Sequence, residues 1–473
     1  MLFNSLQFAV FFIVVYSLYL TLSHRWRNRM LLVASYVFYG AWDWRFLSLI
    51  WISTGIDYFC ALGMAASPDQ DKKKRFLYLS IFGNLSILGF FKYFNFFSAN
   101  LQTLIGLFGF SVQPHLLQVI LPAGISFYTF QTMGYTIEVF RGGVQPTRRF
   151  FDYALYVAFF PLLLAGPIER AGRLLPQILV PRALSLRTFY EGCYLIFWGL
   201  FQKMFIADNL ARIVDPVYSS GPPYRGEQVL LATGAFSFQL LADFAGYSDI
   251  ARGMGKCLGF DIMVNFNLPY FATTVTEFWR RWHISLSTWF RDYIYSPLAL
   301  QTRAWGTGGI LFSLGVTFTL IGFWHGAEWK YIIFGFAHGA VMIGELLTRK
   351  KRKRLSQKLS PLLTGALGML ATFGFLNLTL ILFRAKDISH ALALMRAIAE
   401  QLSFVGGTLA VIWDLLFFTA PLLIIQYLQY RKNDLLVVLT LPVWVRGLIY
   451  FGMYFLLVAY GVEGGREFIY FQF

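Results

Sequence analysis

Charge is scarce along this chain. Asp, Glu, Lys and Arg make up 14% of 473 residues, whereas 57% are hydrophobic and the mean hydropathy is +0.57, a balance that excludes an ordinary soluble globular protein. Cysteine is nearly absent: Cys60, Cys193 and Cys257 are far apart, make no CxxC or Cys/His metal spacing, and supply no disulfide framework. They are expected to be small buried apolar side chains, and no metal site is expected. No GxSxG elbow, HExxH pair, P-loop or Rossmann fingerprint occurs, so hydrolytic, metalloprotease and nucleotide-driven chemistries lack a motif. Nor does any polar stretch approach the roughly 50 residues of a small soluble domain, so residues 1–473 are read as one integral-membrane domain. An internal repeat of fixed period is also missing, which counts against an inverted-repeat transporter.

What is present is a series of apolar runs near the ~20 residues of a helical span. They cover residues 3–22, 76–96, 116–140, 191–207, 229–246, 307–324, 361–383, 408–429 and 437–460, with shorter or interrupted runs at 31–41, 46–66, 151–166 and 331–347. The fold class is therefore all-α and polytopic, with roughly eleven spans once re-entrant helices are allowed. Aromatic residues, 19% of the chain with 51 Phe, are read mainly as interface belts and packing. The net charge of +16 sits in short loops at Arg25–Arg29, Lys72–Arg75, Arg148–Arg149 and Arg349–Arg354, a positive-inside pattern rather than a nucleic-acid surface. Placing Arg25–Arg29 and Lys72–Arg75 in the cytoplasm makes residues 31–66 cross out and back, with a turn near Asp43–Arg45, and puts the amino terminus outside. Residues 1–22 lack a preceding basic region and a small-residue cleavage pattern, and are expected to be a retained span.

The motif-rich part, about 121–340, differs in texture from its flanks. Gly, Pro and polar residues interrupt apolar sequence in LPAGISFYTFQ (121–131), PLLLAGPIER (161–170), FAGYSDIARGMGKCLGF (244–260) and NFNLPYF (265–271). Broken helices at membrane depth need protein or a water-filled cavity to satisfy the freed backbone groups, so a cavity is expected here. The runs 361–383 and 437–460 read instead as plain lipid-facing or packing spans.

Two histidines lie inside aromatic, membrane-like sequence: His283 in EFWRRWHISLSTWFRDYIY (277–295) and His325 in IGFWHGAEW (321–329). An ionisable ring at membrane depth is a functional candidate. Taken as one helix, 277–295 puts Trp279, His283, Leu286 and Phe290 on one stripe, with Ser287 a turn beyond His283. The same helix can equally be an interfacial anchor in which His283 packs. Arg280, Arg281 and Arg291 read either as snorkelling side chains or as a cradle for an anionic donor, and Asp292 as a local partner of Arg291. His325 ends an apolar run and precedes Gly326, which permits close approach beside the ring. It is either a general base, imidazole being suited to proton abstraction near neutral pH, or a satisfied core histidine. His338, in FGFAHGA, is expected to pack, and His24, His115 and His390 to be solvated.

In LPAGISFYTFQ, AGPIER, FAGYSDIARGMGKCLGF, NFNLPYF, TEFWRRWHISLSTWFRDYIYSPL and GFWHG, taken in order, the chain resembles the membrane-bound O-acyltransferase family. The bacterial branch of alginate O-acetylation and teichoic-acid D-alanyl transfer proteins is the one it is most similar to, over most of residues 1–330. The resemblance implies a ring of membrane helices around a thinned central funnel or tunnel open to both faces. It places the catalytic histidine on His325 and the second recurrent histidine on His283. Beside them Trp279, Arg281, Ser287 and Trp324 are candidates for binding substrate. It implies a multi-pass protein of the bacterial cytoplasmic membrane with no permanently bound cofactor. The expected reaction moves an acyl group, acetyl foremost, from a cytoplasmic thioester, acetyl-CoA, to a hydroxyl. The acceptor is an extracytoplasmic, alginate-like polysaccharide or a periplasmic esterase-like partner that relays the group. D-Alanyl transfer from a carrier protein is the alternative inside the family; a proton-coupled transporter or flippase of acylated lipid or sugar is the alternative outside it. One departure concerns the first histidine motif, after which alginate-side relatives usually continue PLGG and a basic residue. This chain reads SPLALQTRAWG at 296–306, which puts contact with a donor or partner there in question. After Arg349 the resemblance lies in hydropathy alone.

Overall fold

The computed structural model describes residues 1–110, 113, 116–118, 120–403, 406–462, 468 and 469, and every regular element among them is helical. Eight stretches among the described residues are long and apolar enough to cross a membrane: His24–Ala66, Gln70–Leu107, Gly226–Cys257, Thr307–His325, Trp329–Leu347, Pro361–Arg384, Thr408–Lys432 and Val443–Tyr460. Leu6–Thr21 is a shorter apolar helix. Helices satisfy their own backbone polar groups, as hydrocarbon requires, and the chain is a multi-pass membrane protein.

Local chemistry sets the helix ends. Leu6–Thr21 starts after Ser5, whose hydroxyl accepts the Phe8 N–H at 3.2 Å. Pro361–Arg384 starts after Ser360 in the same way, with Pro361 as its first residue, where a missing N–H costs nothing. A turn is present near Asp43–Arg45: Asp43 leaves the helical region (φ −157°, ψ 110°), its carboxylate accepts the Arg45 N–H at 3.0 Å, and Trp44–Phe46 make one tight turn before Leu47. Among the described residues of the run 116–140 only Ile125–Phe140 is helical, and 437–460 opens with a short 3-10 turn, Val437–Thr440, before the α-helix Val443–Tyr460 that follows Pro442.

The chain divides into two compact units, residues 1–193 with 251–263 and residues 194–250 with 264–473; the 32-residue helix Gly226–Cys257 supplies residues to both. In the first unit, Asp57 is fully buried and accepts hydrogen bonds from Ser80 Oγ at 2.5 Å and Asn84 Nδ2 at 2.9 Å. Such pairing is what makes burial of a carboxyl among apolar helices tolerable. Glu169 of the AGPIER stretch is also buried there. Burial pushes its carboxyl up to about 7, opposed by the Met263 N–H that it accepts and by the Arg173 guanidinium 3.9 Å away.

In the second unit, buried Lys203 pairs with Asp243 at 2.7 Å and Asp208 at 2.9 Å. The other Asp243 oxygen accepts the Ile469 N–H at 2.9 Å, which seats Phe468 against Phe244 with ring centroids 5.4 Å apart.

Cys193 and His390 depart from what the sequence leads one to expect. Cys193 is exposed, because the inward position on that turn belongs to Gly192, packed against Gly253 and Cys257. His390 is buried rather than solvated: its loop-like sequence folds as the helix Ile388–Glu400 after Asp387, Nδ1 accepts the Lys386 N–H at 3.1 Å, and the ring stacks on Tyr224. His24 is half-buried at the start of its helix, and His115 lies outside the described residues.

Candidate functional site

All three of His283, His325 and His338 belong to the second unit. Thr307–His325 and Trp329–Leu347 form a tight antiparallel hairpin whose contact is built on glycine. A Cβ on Gly335 would lie 2.2 Å from Phe318 O, and one on Gly322 would lie 2.1 Å from Tyr331 O, so only hydrogen fits where the two backbones touch. Gly326 has a different purpose from the one its sequence suggests. The space beside it is filled by the Tyr331 ring, 2.2 Å from where a Cβ would be, so this glycine admits a packed aromatic rather than a substrate.

The hairpin brings His325 to the end of the first helix, 5% exposed, with Trp324, Phe383 and Phe334 around it at ring-centroid distances of 5.2, 5.3 and 6.1 Å. His325 lines a cavity of about 30 Å³ together with His338, Trp279, Leu376, Thr379 and Phe383, room for one or two water-sized groups. Of the two readings of the run 361–383, lipid-facing or packing, one face packs, and at a site rather than plainly. Helix Pro361–Arg384 turns Leu376, Thr379 and Phe383 inward to wall this cavity.

His338 is held at both ring nitrogens. The Trp279 Nε1–H donates to His338 Nδ1 at 3.1 Å, and His338 Nε2 lies 3.1 Å from Thr379 Oγ1. An indole nitrogen can only donate, so Nδ1 carries the lone pair and Nε2–H points at Thr379, whose own hydroxyl turns to Leu376 O at 2.9 Å. Trp279 thus uses its indole N–H on His338.

Residues 277–295 do not form one helix, and the stripe of Trp279, His283, Leu286 and Phe290 does not exist. Val275–Arg281 starts at Thr274, whose hydroxyl accepts the Glu277 N–H at 3.0 Å, while Glu345 accepts the Val275 and Thr276 N–H groups at 2.7 and 3.0 Å. The helix stops at Trp282, in extended conformation, and His283 takes left-handed backbone angles (φ 42°, ψ 54°) before Ile284–Phe290 resumes. A non-local partner causes the break. The chain at Asn265–Asn267 runs alongside, with the Asn267 N–H donating to Arg281 O at 2.8 Å and the Ile284 N–H to Asn265 O at 2.9 Å. Histidine is among the side chains that tolerate this backbone region.

The break buries His283 completely and aims its Nδ1 at Asn265 Oδ1, 3.3 Å away. Asn265 Oδ1 is an acceptor, since the Ser285 backbone N–H and hydroxyl both donate to it at 3.2 and 2.9 Å. Nδ1 of His283 is therefore the protonated nitrogen and Nε2 the basic one. Phe244 meets the ring edge-on at 4.7 Å, and Trp324 lies 5.9 Å from it, so the Trp324 indole touches both His283 and His325.

The other sequence candidates separate. Trp279, Arg280, Ser287 and Arg291 line a second, larger space of about 930 Å³, with Arg349 and Arg352 at the far end of the hairpin. Arg291 pairs with Asp292 at 2.8 Å. Arg281 is held away from the histidines by Glu277 at 2.8 Å and by Asn267 O at 3.2 Å. Ser287 faces this groove and not His283, its hydroxyl donating to Trp282 O at 3.2 Å. Sequence pattern does not single out Asn265, Thr379 or Phe383. A polar residue amid apolar sequence in NFNLPYF was the one available signal, for Asn265; Thr379 and Phe383 carried none.

A family model described as the membrane-bound O-acyltransferase family matches residues 146–358, which include all three histidines. The chain is 39% identical over 417 residues to the probable alginate O-acetylase of Azotobacter vinelandii, covering 87% of this chain and 80% of that protein. It is 33% identical over 399 residues to the peptidoglycan O-acetyltransferase of Helicobacter pylori, covering 77% and 72%. With the teichoic acid D-alanyltransferase of Streptococcus thermophilus it shares 30% identity over 280 residues, covering 55% and 67%. With its apolar helices and its histidine-bearing core, the chain belongs to the membrane-bound O-acyltransferase family and is an O-acyltransferase.

Proposed function

We propose that this chain is an O-acetyltransferase of the bacterial cytoplasmic membrane, its amino terminus outside, that carries acetyl from a cytoplasmic thioester, acetyl-CoA, to a hydroxyl of an extracytoplasmic polysaccharide or of a relay partner. The observation that carries this reading is the cavity at His325: small, apolar and aromatic, with no carboxylate among its described lining residues. Uncharged acetyl suits the apolar chemistry of such walls, whereas the ammonium of a D-alanyl group would be buried there without an anion.

His325 takes the proton of the acceptor hydroxyl as that oxygen attacks the thioester carbonyl. The tetrahedral oxyanion collapses, the carbon–sulfur bond breaks, and the imidazolium returns its proton to the leaving thiolate. His283, its tautomer fixed by Asn265, supports the site across Trp324. The donor approaches by the groove of about 930 Å³, where Arg280, Arg291, Arg349 and Arg352 offer charge to its phosphates. That end of the hairpin adjoins the basic run 349–354, the cytoplasmic end by the positive-inside rule.

Purified protein supplied with labelled acetyl-CoA and acceptor loses transfer on His325→Ala while keeping its fold. Transfer at the parent rate in that variant would refute the base assignment.

A further inference from the structure

The second unit holds another groove, of about 720 Å³, bounded by the helix Asp208–Ser219, the loop after it, and the starts of Gly226–Cys257 and Thr408–Lys432. We propose that this groove binds an oligosaccharide strand, the acceptor polymer, an inference that rests on the acyl-transfer reading above. Its volume falls within the range of ligand sites. Arg212, Arg225, Gln228 and Asp414 line it, with Tyr224 beside them. Planar polar groups of this kind meet neighbouring hydroxyls in pairs, and an aromatic face packs on the C–H side of a sugar ring. The cations are balanced by Glu227 and Asp414, so the groove offers hydrogen-bonding capacity rather than one sign of charge. Glu227 is fully buried in its wall, held by an ion pair with Arg225, and its Oε2 accepts no hydrogen bond. The buried Glu227 carboxylate fixes the Arg225 guanidinium at the groove wall, where its remaining N–H groups can meet hydroxyl oxygens.

Position supports the same occupant. Asp215 pairs with Arg384 at 2.9 Å, Ser219 O accepts from Lys386 Nζ at 3.0 Å, and Tyr224 stacks on His390 at 5.6 Å. Arg384 directly follows Phe383, the ring against His325, and Lys330 reaches Ala385 O at 2.9 Å. The groove is therefore tied to the His325 end of the hairpin. The basic run lies at the other end, about 28 Å along the 19-residue helix Trp329–Leu347. Donor groove and sugar groove thus sit at opposite ends of one span, as a reaction between two compartments requires.

The test is calorimetric titration of the full chain in lipid nanodiscs with a uronate hexamer and, separately, a neutral glucan hexamer. Saturable binding of either, weakened about tenfold by Arg212→Ala and by Asp414→Asn, supports the proposal, and the hexamer that binds marks the polymer as acidic or neutral. Both side chains are exposed, so the fold survives their loss, which circular dichroism checks. Binding is measured without turnover and persists in His325→Ala, so failure of the base assignment leaves this result standing. Absence of binding by both hexamers overturns the proposal. Binding indifferent to both substitutions does so too, as does capture of a periplasmic protein at this groove without affinity for sugar.

Discussion

Gly335→Ala tests whether the backbone contact of the histidine hairpin positions the chemistry. The added methyl would lie 2.2 Å from Phe318 O, where real Cβ contacts stay above 3.0 Å, so the two helices must part by about 1 Å. Overpacking of this kind costs about 1–3 kcal/mol, more than the ~1 kcal/mol that alanine gains over glycine in a helix. The larger effect is on rate. Parting the hairpin moves His325 relative to Phe383 and His338, which belong to other helices or the opposite arm, and a displacement near 1 Å at a reacting centre costs on the order of 100-fold. The assay is the initial rate of acetyl transfer from labelled acetyl-CoA, alongside thermal denaturation in detergent. Gly344→Ala on the same helix is the control: nothing lies within 4 Å of its Cβ position, so it keeps the rate and gains slightly in stability. An unchanged rate in Gly335→Ala would refute the positioning argument.

His338→Leu leaves the buried Trp279 N–H without an acceptor and lowers stability by about 1–3 kcal/mol, while the shape of the pH–rate profile stays that of the parent; an altered profile would make His338 a proton carrier. Asn265→Ala removes the acceptor that fixes the His283 tautomer and strands the Ser285 N–H, so transfer falls along with stability by about 2 kcal/mol; full transfer would exclude a role for that tautomer. For Glu169 the folded carboxyl is raised to about 7 from an ordinary 4.5, so its contribution is fully present below pH 4.5 and is lost as pH rises through about 7. The melting temperature of the parent therefore falls relative to Glu169→Gln between pH 4.5 and 8, and a pH-independent gap between the two would contradict this.

The membrane spans were legible because hydropathy is a local property: 307–324 and 408–429 each lie within the helix that forms there. The Asp43–Arg45 turn was legible too, from two basic loops that the positive-inside rule assigns to one side. The break at Trp282–His283 was not. Its flanks keep a helical rhythm, and what stops the helix is hydrogen bonding to Asn265 and Asn267, some fifteen residues earlier in sequence. Periodicity sees neither long-range competition for backbone groups nor the inward turn of Thr379 and Phe383 on a helix that is apolar on every face. Within the site, residue type pointed at the histidines, but which nitrogen carries a proton, and whether a neighbour such as Arg281 is already occupied, depended on partners supplied by the fold.

The left-handed backbone at His283 has a consequence for how variants at that position are interpreted. Alanine there removes an imidazole and also places at φ 42° a residue that visits this backbone region less readily than histidine, so an alanine scan would confound chemistry with folding. Asparagine visits that backbone region readily, and a library of substitutions should sort accordingly: Asn and Gly folded and inactive, bulky β-branched residues absent from the membrane altogether. Position 283 would then show two separable selections, one on the main chain and one on the ring.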